Sequence, residues 1–398
     1  MTPRRILVVS FQSITPSGPM GMACVGLSIA ERLRELGHEV LMVVSSVRGY
    51  AGPVNAVPVT RLAGLYVRAL SRLVRWRFIT EHRKRYLEER LFDRFCRGRV
   101  SGTWDLVIST NSFAPDTLER ARQRGIPAVL IPGNPNDLLL SRMVTDLART
   151  HHLVHTDAYN YEPRNELFRR AITVASYVFC YSGVIHRSFA DLVPADRLRL
   201  HAGLLKFREL PAERSYPAQT VFGYLAYTVL LKGLDTLLAA WERVYSTTPG
   251  RLVIGGVVDS SVWPLIRRFH EDRERYRIDF VGEVKDIASF FRGCSVIVVP
   301  SYIDGQPTVA VEAMGCARPV IVTTACGVAD FVAARENGLT VPAGDAAALA
   351  DAMRWFVDVP DRVRMCGGRA REVYDAFRFK GYISDLTDAV LSVAPQRH

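Results

Sequence analysis

The stretch from Val298 to Ile321 reads VVPSYIDGQPTVAVEAMGCARPVI and passes from an apolar strand, through a polar loop, into a helix and a second strand. This order of elements is the repeating unit of a parallel α/β sheet. In such sheets ligands bind beyond the carboxyl ends of the strands, where this loop is expected to lie. The stretch therefore predicts an α/β fold and the place of a binding site.

The same alternation recurs on both sides of a connection that contains prolines. Strands are expected at residues 5–10, 40–44, 105–109, 128–131 and 175–180, and again at 220–225, 251–255, 278–281, 295–300, 319–323 and 339–341. The 398 residues exceed what one hydrophobic core usually supports. We therefore predict two Rossmann-like domains that face each other across a cleft. Their bounds are 1–203 and 219–375, joined by a linker at 204–218 and followed by a C-terminal helix at 376–398 that packs back on the first domain.

Composition excludes several classes of protein. Hydrophobic residues make up 48% of the chain, yet no apolar run approaches the roughly 20 residues of a membrane-spanning helix. Polar residues follow Ile6–Val9 too soon for a signal peptide, and seven singly scattered cysteines are typical of reduced, buried thiols, so a cytoplasmic location is expected. Because the chain has no Asp-x-Asp and no zinc-like spacing, we expect no metal and no other cofactor.

Most of the net charge of +11 comes from residues 61–99, with twelve Lys or Arg against four Asp or Glu. Leu65, Leu70, Leu73, Val74, Trp76, Phe78 and Ile79 alternate there with Arg68, Arg72, Arg75 and Arg77. This pattern fits a basic amphipathic helix on an anionic membrane surface. It equally fits a solvated basic face on its own domain, or a groove for an anionic acceptor. No nucleic-acid-binding motif accompanies the charge, so no nucleic acid is expected.

Two acids bracket the loop and helix of the opening stretch. Pro307 fits the first helical position, and the backbone N–H groups of residues 305, 306, 308 and 309 would then form an anion pocket at the helix start. Asp304 and Glu312 suit sugar hydroxyls, because a carboxylate accepts two hydrogen bonds from neighbouring hydroxyls. They could instead be a helix cap and a solvent-facing acid. A single Glu312 in an otherwise apolar helix favours a functional role.

The second half resembles the retaining family 4 glycosyltransferases of the GT-B fold, whose donor signature has two acids separated by seven residues. The resemblance rests on Asp304 and Glu312 and extends through Pro300-Ser301, Glu312-Ala-Met314, Arg318-Pro-Val320, Cys326-Gly327, Asp330, Asn337-Gly-Leu339, Pro342 and Gly344-Asp345. It implies that Glu312 holds the nucleotide ribose and that Asp304 meets the donor sugar. The other donor-binding positions that it implies are Gly223, Tyr224, Gly282, Gly305, Gln306, Pro307, Thr308 and Val309.

A second matching element is Phe222-Gly-Tyr-Leu225 followed by Lys232-Gly233, similar to the family's Gly-Arg-Leu and Lys-Gly pair. By this resemblance Lys232 neutralises the leaving diphosphate, because breaking the sugar–phosphate bond builds negative charge that a fixed cation stabilises. Two positions depart from the family pattern: Tyr224 stands where Arg is usual, and Asp304 where Glu is usual. Lys285 or Lys206 could supply the missing cation.

The first half matches the family more loosely. Its loop with Gly18 and Gly21 resembles the glycine loop that approaches the donor phosphate, and Ser182 resembles a serine of the family's cleft. Where the family often has a histidine after a central strand, this chain has Ile131-Pro-Gly-Asn-Pro-Asn-Asp137. His151, His152 and His155 are nearby candidates, although each fits a surface or core histidine as well.

These observations predict a metal-independent glycosyltransferase that moves a sugar, with retention, from a nucleoside diphosphate sugar to a hydroxyl acceptor. The acceptor could be a glycan, a glycolipid or a small molecule, as in bacterial glycan, glycolipid or natural-product biosynthesis. Two alternatives stay open at this point. One is a nucleotide-sugar-binding protein or partner subunit without catalysis, which Tyr224 suggests, and the other is a GT-B epimerase or phosphorylase.

Overall fold

The computed structural model describes residues 2–15, 18–19, 21–59, 63–154, 159–205, 210–212, 214–377 and 379–394. Two parallel sheets organise them. The first domain contains β1 (Arg5–Ser10), β2 (Ile14–Thr15), β3 (Gly18–Pro19), β4 (Glu39–Val44), β5 (Asn55–Pro58), β6 (Leu106–Ser109), β7 (Ala128–Leu130), β8 (Tyr177–Cys180) and β9 (Leu198–Leu200). The second contains β10 (Val221–Leu225), β11 (Arg251–Gly255), β12 (Ile278–Gly282), β13 (Val296–Val299), β14 (Val320–Thr323) and β15 (Gly338–Val341).

Helices follow the strands in both domains. Those of the first are α1 (Met22–Glu35), α2 (Ala63–Arg75), α3 (Glu81–Arg99), α4 (Pro115–Gln123), α5 (Asp137–Thr150), α6 (Glu162–Val174) and α7 (Gly183–Phe189). The second part of the chain adds α8 (Leu234–Glu242), α9 (Trp263–Glu271), α10 (Arg273–Tyr276), α11 (Ile287–Arg292), α12 (Thr308–Gly315), α13 (Ala346–Asp358), α14 (Asp361–Ala376) and α15 (Phe379–Ser392). Two short 3₁₀ helices lie at Leu230–Lys232 and Gly327–Phe331.

Strand order places a topological switch point in each sheet. The first runs β5-β4-β1-β6-β7-β8-β9 and the second β12-β11-β10-β13-β14-β15, with every pairing in these two sheets parallel. The order reverses between β1 and β6, and again between β10 and β13. Because crossover connections leave the sheet in opposite directions there, a crevice opens beyond the carboxyl ends of the two central strands.

The sequence predicts the strands and helices with a strong apolar pattern and misses several in which that pattern is weak. The central strands β1, β6 and β13 are buried along nearly their whole length, as expected for parallel strands covered by helices on both faces. The two edge strands β5 and β9 carried no such signal, since Asn55–Pro58 ends in proline and Leu198–Leu200 has a charged centre. Helices α9 and α14 were also missed, because arginines interrupt their apolar spacing.

The chain crosses between the domains twice, and the crossings meet at Tyr382. After α14 packs on α12, helix α15 returns to α1 and adds Ile383, Leu386 and Val390 to the core of the first domain. The Tyr382 hydroxyl donates to the carbonyl of His201 (3.1 Å), and a Cβ at Gly203 would lie 2.4 Å from its ring. The connection between the domains thus passes directly under the start of α15.

The carboxyl edges of the two sheets face each other. Loops that follow β8 and β13 touch, since a Cβ at Gly305 would lie 2.9 Å from Ile185 and 3.1 Å from the Tyr181 hydroxyl. Helix α5 contacts the 3₁₀ helix Leu230–Lys232 through a small apolar cluster that includes Leu140, Val144 and Leu231. The two crevices are therefore brought together at one interface, in keeping with the predicted pair of Rossmann-like domains.

Two further predictions concern membrane-spanning helices and cysteines. None of the helices in the described ranges combines the length and apolarity needed to cross a membrane. All seven cysteines are unpaired, and six of them are buried, which confirms the prediction of reduced, mostly buried thiols.

Candidate functional site

Lys232 is held at the mouth of the second switch point by a turn that requires glycine. It ends the 3₁₀ helix after β10, and Gly233 follows with a left-handed backbone of φ 68°. A Cβ at Gly233 would lie 2.0 Å from the carbonyl oxygen of Pro300, so a side chain does not fit. The Lys232-Gly233 pair of the sequence thus locks the lysine against the loop that follows β13.

Lys232 and Asp304 form an ion pair in this crevice. The Lys232 Nζ lies 2.6 Å from the Asp304 Oδ2, with side chains 35% and 13% exposed. Burial by itself lowers the pKa of Lys232, but the adjacent Asp304 carboxylate outweighs it and the pKa lies above its usual value. The lysine is therefore charged at neutral pH. The residue predicted to neutralise the diphosphate and the residue predicted to bind the donor sugar are thus in direct contact.

The loop that carries Asp304 is anchored on both sides. Asp304 forms an isolated bridge with Cys326, in which its N–H donates to Ala325 and its carbonyl accepts from Gly327. Its Oδ1 accepts the backbone N–H of Gln306 at 3.1 Å. This second carboxylate oxygen is therefore fixed in place while Oδ2 meets the lysine.

Gln306 differs from the sequence prediction. Its side chain is buried and turns away from the crevice, donating to the carbonyl of Gly203 (2.7 Å) and accepting from the N–H of Leu205 (2.5 Å). Its own N–H, expected to be free for an anion, is used by Asp304. Gln306 therefore ties the donor-side loop to the connection between the domains.

Helix α12 begins beside this ion pair with unused donors. Pro307 is the N-cap with φ −66° and ψ 109°, one position earlier than predicted, because its extended ψ keeps it outside the helix. The N–H groups of Thr308 and Val309 donate to no acceptor within the described chain. Unused N–H groups and the positive end of a helix together favour an anion.

Two adjoining cavities flank the start of α12. The Lys232 cavity, of about 250 Å³, is lined by Lys232, Asp304 and the first turn of α12. The Glu312 cavity, of about 290 Å³, is lined by Glu312 and Glu283. Both are also lined by Leu225, Ala226, Tyr227, Thr308 and Val309. An elongated ligand can therefore reach from the ion pair to the two glutamates across the amides of α12.

Tyr227 and Glu283 line these cavities, although the sequence interpretation did not include them. Tyr227 is 60% exposed and donates its hydroxyl to Asp259 at 3.1 Å. It is the second residue after β10, and Glu283 is the first after β12. Their positions at the carboxyl ends of parallel strands were the signal that could have identified them.

The predicted donor-site residues on β10 and β12 differ in whether they reach the two cavities. Tyr224 is buried, lines the Lys232 cavity and pairs its hydroxyl with Thr228 at 3.2 Å, so it adds no charge. Gly223 faces the core instead, since a Cβ there would lie 2.5 Å from the sulfur of Cys294. Gly282 ends β12 with φ 66° and accepts the N–H of Gly256; its neighbour Glu283, not Gly282, is among the lining residues.

No second lysine joins Lys232 among the residues that line the two described cavities. Lys285, considered above as a replacement cation, is exposed and is not one of them. Lys206 lies outside the described residues. Lys232 therefore supplies the positive side-chain charge of the Lys232 cavity.

The first-domain candidates are dispersed. Gly18 is in the short strand β3, while Gly21 is the N-cap of α1 with φ 48° and packs against Gln12, whose Oε1 accepts the N–H of Ala23. Ser182 caps α7 by accepting the N–H of Ile185. The structure assigns these three a local structural task, and their predicted approach to a donor stays a prediction.

Of the candidate histidines, His151 reaches the second domain. Its Nε2 lies 3.1 Å from Asp235, which also accepts the hydroxyl of Tyr302 at 2.6 Å. His152 is the left-handed residue that follows the end of α5, with φ 54°. His155 lies outside the described residues. Neither described histidine takes the place of a histidine after the central strand.

Two parts of the resemblance are explained by packing. Arg318 is fully buried and donates to the carbonyls of Phe291 (2.8 Å) and Ser215 (2.7 Å), which ties the interdomain connection to the second domain. Asn337 is buried and closes its own loop by donating to Phe331 and accepting from Ala333. These positions support the site without touching it.

Comparisons with known proteins support this arrangement. Residues 219–358 match the family described as Glycosyl transferases group 1. An uncharacterized glycosyltransferase of Methanocaldococcus jannaschii is 30% identical over 175 residues, which are 43% of this chain and 47% of that protein. D-inositol 3-phosphate glycosyltransferase 2 of Catenulispora acidiphila is 32% identical over 153 residues, or 36% of each chain. The chain thus spans less than half the length of these curated relatives.

Solved structures match over nearly the whole chain. Sucrose-phosphate synthase from Thermosynechococcus elongatus has a TM-score of 0.69 at 20% identity, covering 98% of this chain and 99% of that one. The HepE protein of Anabaena, in a complex with UDP-glucose, has a TM-score of 0.64 at 16% identity with the same coverage. At these identities the likeness concerns the fold. Residues 219–358 are therefore similar to the group 1 glycosyl transferases, and the chain as a whole has two Rossmann-like domains in the GT-B arrangement.

Proposed function

We propose that this protein is a glycosyltransferase that moves a sugar from a nucleoside diphosphate sugar to an acceptor hydroxyl. The observation that carries the proposal is the Lys232–Asp304 pair at 2.6 Å, placed beside the unused N–H groups of α12. At this switch point, positive groups that suit a diphosphate lie beside a carboxylate that suits sugar hydroxyls. The match of residues 219–358 to a glycosyl transferase family supports the same activity.

The proposed donor extends along the two cavities. Its diphosphate lies over the N–H groups of Thr308 and Val309, its ribose reaches Glu312, and its sugar hydroxyls bind Asp304. When the bond between sugar and diphosphate breaks, Lys232 stabilises the charge that develops on the departing group. The acceptor oxygen bonds to the anomeric carbon as the bond to the diphosphate breaks, and the hydroxyl proton passes to the departing phosphate oxygen. Retention of configuration is part of the proposal on the strength of the family resemblance.

Lys232 and the start of α12 are proposed to serve the diphosphate without a divalent ion. Among the described residues no group of three or more His, Cys, Asp or Glu is placed to hold a metal. Transfer measured with an excess of EDTA and with added Mg²⁺ tests this proposal. Rates within twofold of each other are expected, and loss of transfer in EDTA that Mg²⁺ restores would contradict it.

The activity is tested by two neutral isosteres. Thermal shift against a panel of nucleotide sugars identifies the donor, beginning with UDP sugars because one structural neighbour is described with UDP-glucose. Asp304→Asn and Glu312→Gln should each reduce transfer at least a hundredfold without lowering the Tm. Asp351→Asn and Glu372→Gln, which remove exposed acids far from the crevice on α13 and α14, are the controls. Transfer near the control level in either site variant would refute the assignment.

A binding protein without catalysis is the second candidate, and Tyr224 is the observation that favours it. The position is buried and neutral, so Lys232 lacks a second cation from this strand. Calorimetry and slow donor hydrolysis separate the two functions, because a pure binder gives heat of donor binding with no product. Any donor-dependent transfer above the Asp304→Asn background excludes this candidate.

We also propose that the outer face of α2 rests on an anionic membrane surface. Leu65, Trp76 and Phe78 are 56%, 63% and 71% exposed, beside the exposed Arg72 and Arg75. Within residues 64–79, Leu70 is buried and Leu73, Val74 and Ile79 are half-buried, so packing on its own domain explains part of the pattern. Exposed aromatic rings beside arginines suit the interface of an anionic bilayer.

Flotation with phosphatidylglycerol vesicles tests this contact. Trp76→Ser should weaken vesicle binding at least fivefold at low salt, whereas Trp263→Ser, which removes an exposed tryptophan of the second domain, should not. Phosphatidylcholine vesicles should bind weakly throughout. Equal flotation of both variants and the wild type would show that α2 is a solvated face.

A further inference from the structure

The switch point of the first domain has its own small cavity. The Asn111 cavity, of about 90 Å³, is lined by residues that follow β1, β6 and β7, among them Gln12, Asn111 and Gly133. The Tyr181 hydroxyl donates to Gly133 at 2.6 Å and also abuts Gly305 of the second domain. One side chain therefore separates the wall of this cavity from the loop that carries Asp304.

Asn111 brings an unused donor to this cavity. Its side chain is 6% exposed, and its Oδ1 accepts the N–H of Phe113 at 3.1 Å, which fixes the orientation of the amide. Its Nδ2 is buried and has no hydrogen-bond partner within the described residues. An unpaired buried donor is destabilising unless a ligand supplies the acceptor, so this group points to a bound hydroxyl or anion.

The arginine behind Asn111 is already neutralised. Arg164 lies 2.9 Å from Glu89 and 3.4 Å from Asp137, and its guanidinium stacks over Phe113 at 3.5 Å. All three charged groups are nearly fully buried. The narrow cavity is therefore polar but carries little net charge, which suits a hydroxyl group better than a phosphate.

A wide cavity continues from the narrow one and is basic. The Arg48 cavity, of about 820 Å³, shares Phe11, Gln12 and Arg85 with the Asn111 cavity. Arg85 is paired with Glu89 at 2.9 Å, whereas Arg48 and Arg68 are exposed and have no carboxylate partner among the described residues.

Glu88 is the acidic residue that lines this cavity, and Lys84 and Arg85 lie close to it. Burial raises the pKa of Glu88 from its usual value, against the opposing effect of those two neighbouring cations. Two unpaired guanidinium groups therefore outweigh one carboxylate, and an anion is favoured in the wide cavity.

We propose that the acceptor is a phosphate-bearing polyol whose accepting hydroxyl binds Asn111 in the narrow cavity and whose phosphate binds Arg48 and Arg68 in the wide one. This inference rests on the proposed glycosyltransferase function. It names the acceptor class, which neither the donor site nor the family match supplies. The phosphate belongs either to a soluble compound or to a lipid head group, and Gly64, Val67 and Arg68 of α2 line the cavity next to the proposed membrane face.

Binding measured without nucleotide tests the site independently of catalysis. The probes are glucose 6-phosphate, myo-inositol 1-phosphate and glycerol 3-phosphate, with glucose as the uncharged control, and vesicles of phosphatidylglycerol. The variant is Arg48→Ser with Arg68→Ser. The matched control is Arg267→Ser with Arg273→Ser, which removes the same charge from the exposed surface of the second domain.

At least one soluble probe should bind the wild type, with a Kd at least tenfold weaker in the cavity variant and within twofold in the control. Such a result assigns a soluble acceptor. If only vesicles bind, and the cavity variant loses more binding than the control, the phosphate is that of a lipid. If no probe binds, or if both variants bind equally, the inference is wrong. Donor binding and its loss in Asp304→Asn are scored separately, so failure of the proposed function is recognisable by itself.

Discussion

The switch points of the two domains share the same strand topology but differ in whether their polar groups are paired. In the second domain, the cation Lys232 and the carboxylate Asp304 are paired with each other at 2.6 Å. In the first, the Nδ2 of Asn111 has no hydrogen-bond partner within the described chain, and Arg48 and Arg68 form no ion pair with a described carboxylate. A paired site must exchange its internal contacts for ligand contacts, whereas an unpaired one gains contacts outright.

The comparison predicts different costs when each site is disturbed. Removing one member of the pair leaves a charge unbalanced in the reaction crevice, with a large effect on turnover. Removing the Asn111 Nδ2 donor of the first domain should affect acceptor binding and leave donor binding unchanged. The residues that hold these two groups in place should change stability and leave the chemistry intact.

The largest effect is expected for Lys232→Ala. It removes the charge that stabilises the leaving diphosphate, so kcat should fall by about 10²–10³. Lys380→Ala, an exposed lysine of α15, is the control and should be unchanged. Steady-state transfer with the donor found by thermal shift measures the effect. A kcat within threefold of the control would place the leaving-group cation elsewhere.

Gln306→Ala separates a ligand contact from a structural clamp. Loss of its buried hydrogen bonds to Gly203 and Leu205 should lower the free energy of unfolding by about 2–4 kcal/mol, while the donor KM stays within twofold. Chemical denaturation and donor titration measure the two quantities. A raised KM with unchanged stability would restore the donor-binding role that the sequence predicted.

Asn111→Asp tests the unpaired donor of the first domain. The aspartate keeps the acceptor for the N–H of Phe113 but replaces the Nδ2 donor with a carboxyl oxygen in a buried position, so the Tm is measured alongside the kinetics. The acceptor KM should rise about tenfold, which corresponds to roughly 1.4 kcal/mol, with the donor KM unchanged. Equal changes in both KM values would mean that Asn111 acts through the interface between the domains.

The smallest effect concerns the support beneath Asn111. Asp93 holds the start of α4 by accepting the N–H groups of Asp116 and Thr117, and burial raises its pKa to about 6. A carboxyl group with a pKa raised by folding binds more protons when folded, so its effect on stability becomes less favourable as the pH rises through that value.

The Tm difference between wild type and Asp93→Asn should therefore shift in favour of the variant from pH 5 to pH 7. The expected size is about 1 kcal/mol, or roughly 2–4 °C. Asp351→Asn, which removes an exposed acid, should show no such trend. A Tm difference that stays constant over this range would mean that Asp93 is ionised at pH 5.

Sequence predicted the second domain far better than the first, and the reason is local. Asp304, Thr308 and Glu312 lie within nine residues of each other on one strand, loop and helix, so spacing alone brings them near one another. Lys232 is recognisable because Gly233 must follow it. The structure turns Gly223 and the Gln306 side chain away from the crevice, because three-dimensional packing decides which face a strand residue takes and where a long side chain turns.

The first-domain site could not be predicted in this way. Asn111, Arg48 and Arg68 come from three separate segments, and Arg164 from a fourth, none with a spacing that links it to the others. The order of the strands in the sheet brings these residues together, and that order could not be predicted from the sequence. What the sequence did contain was the excess charge of residues 61–99, which include Arg68, and a groove for an anionic acceptor was one of three interpretations of that segment.

The two interdomain crossings meet at Tyr382, so a change in the angle between the domains has to move the first crossing against the ring of this residue. We expect two crossings to restrict such a change to bending, because a single connection would also allow twisting. A methyl group added at Gly203 would press on the Tyr382 ring, and we expect it to alter this angle from a point outside both crevices.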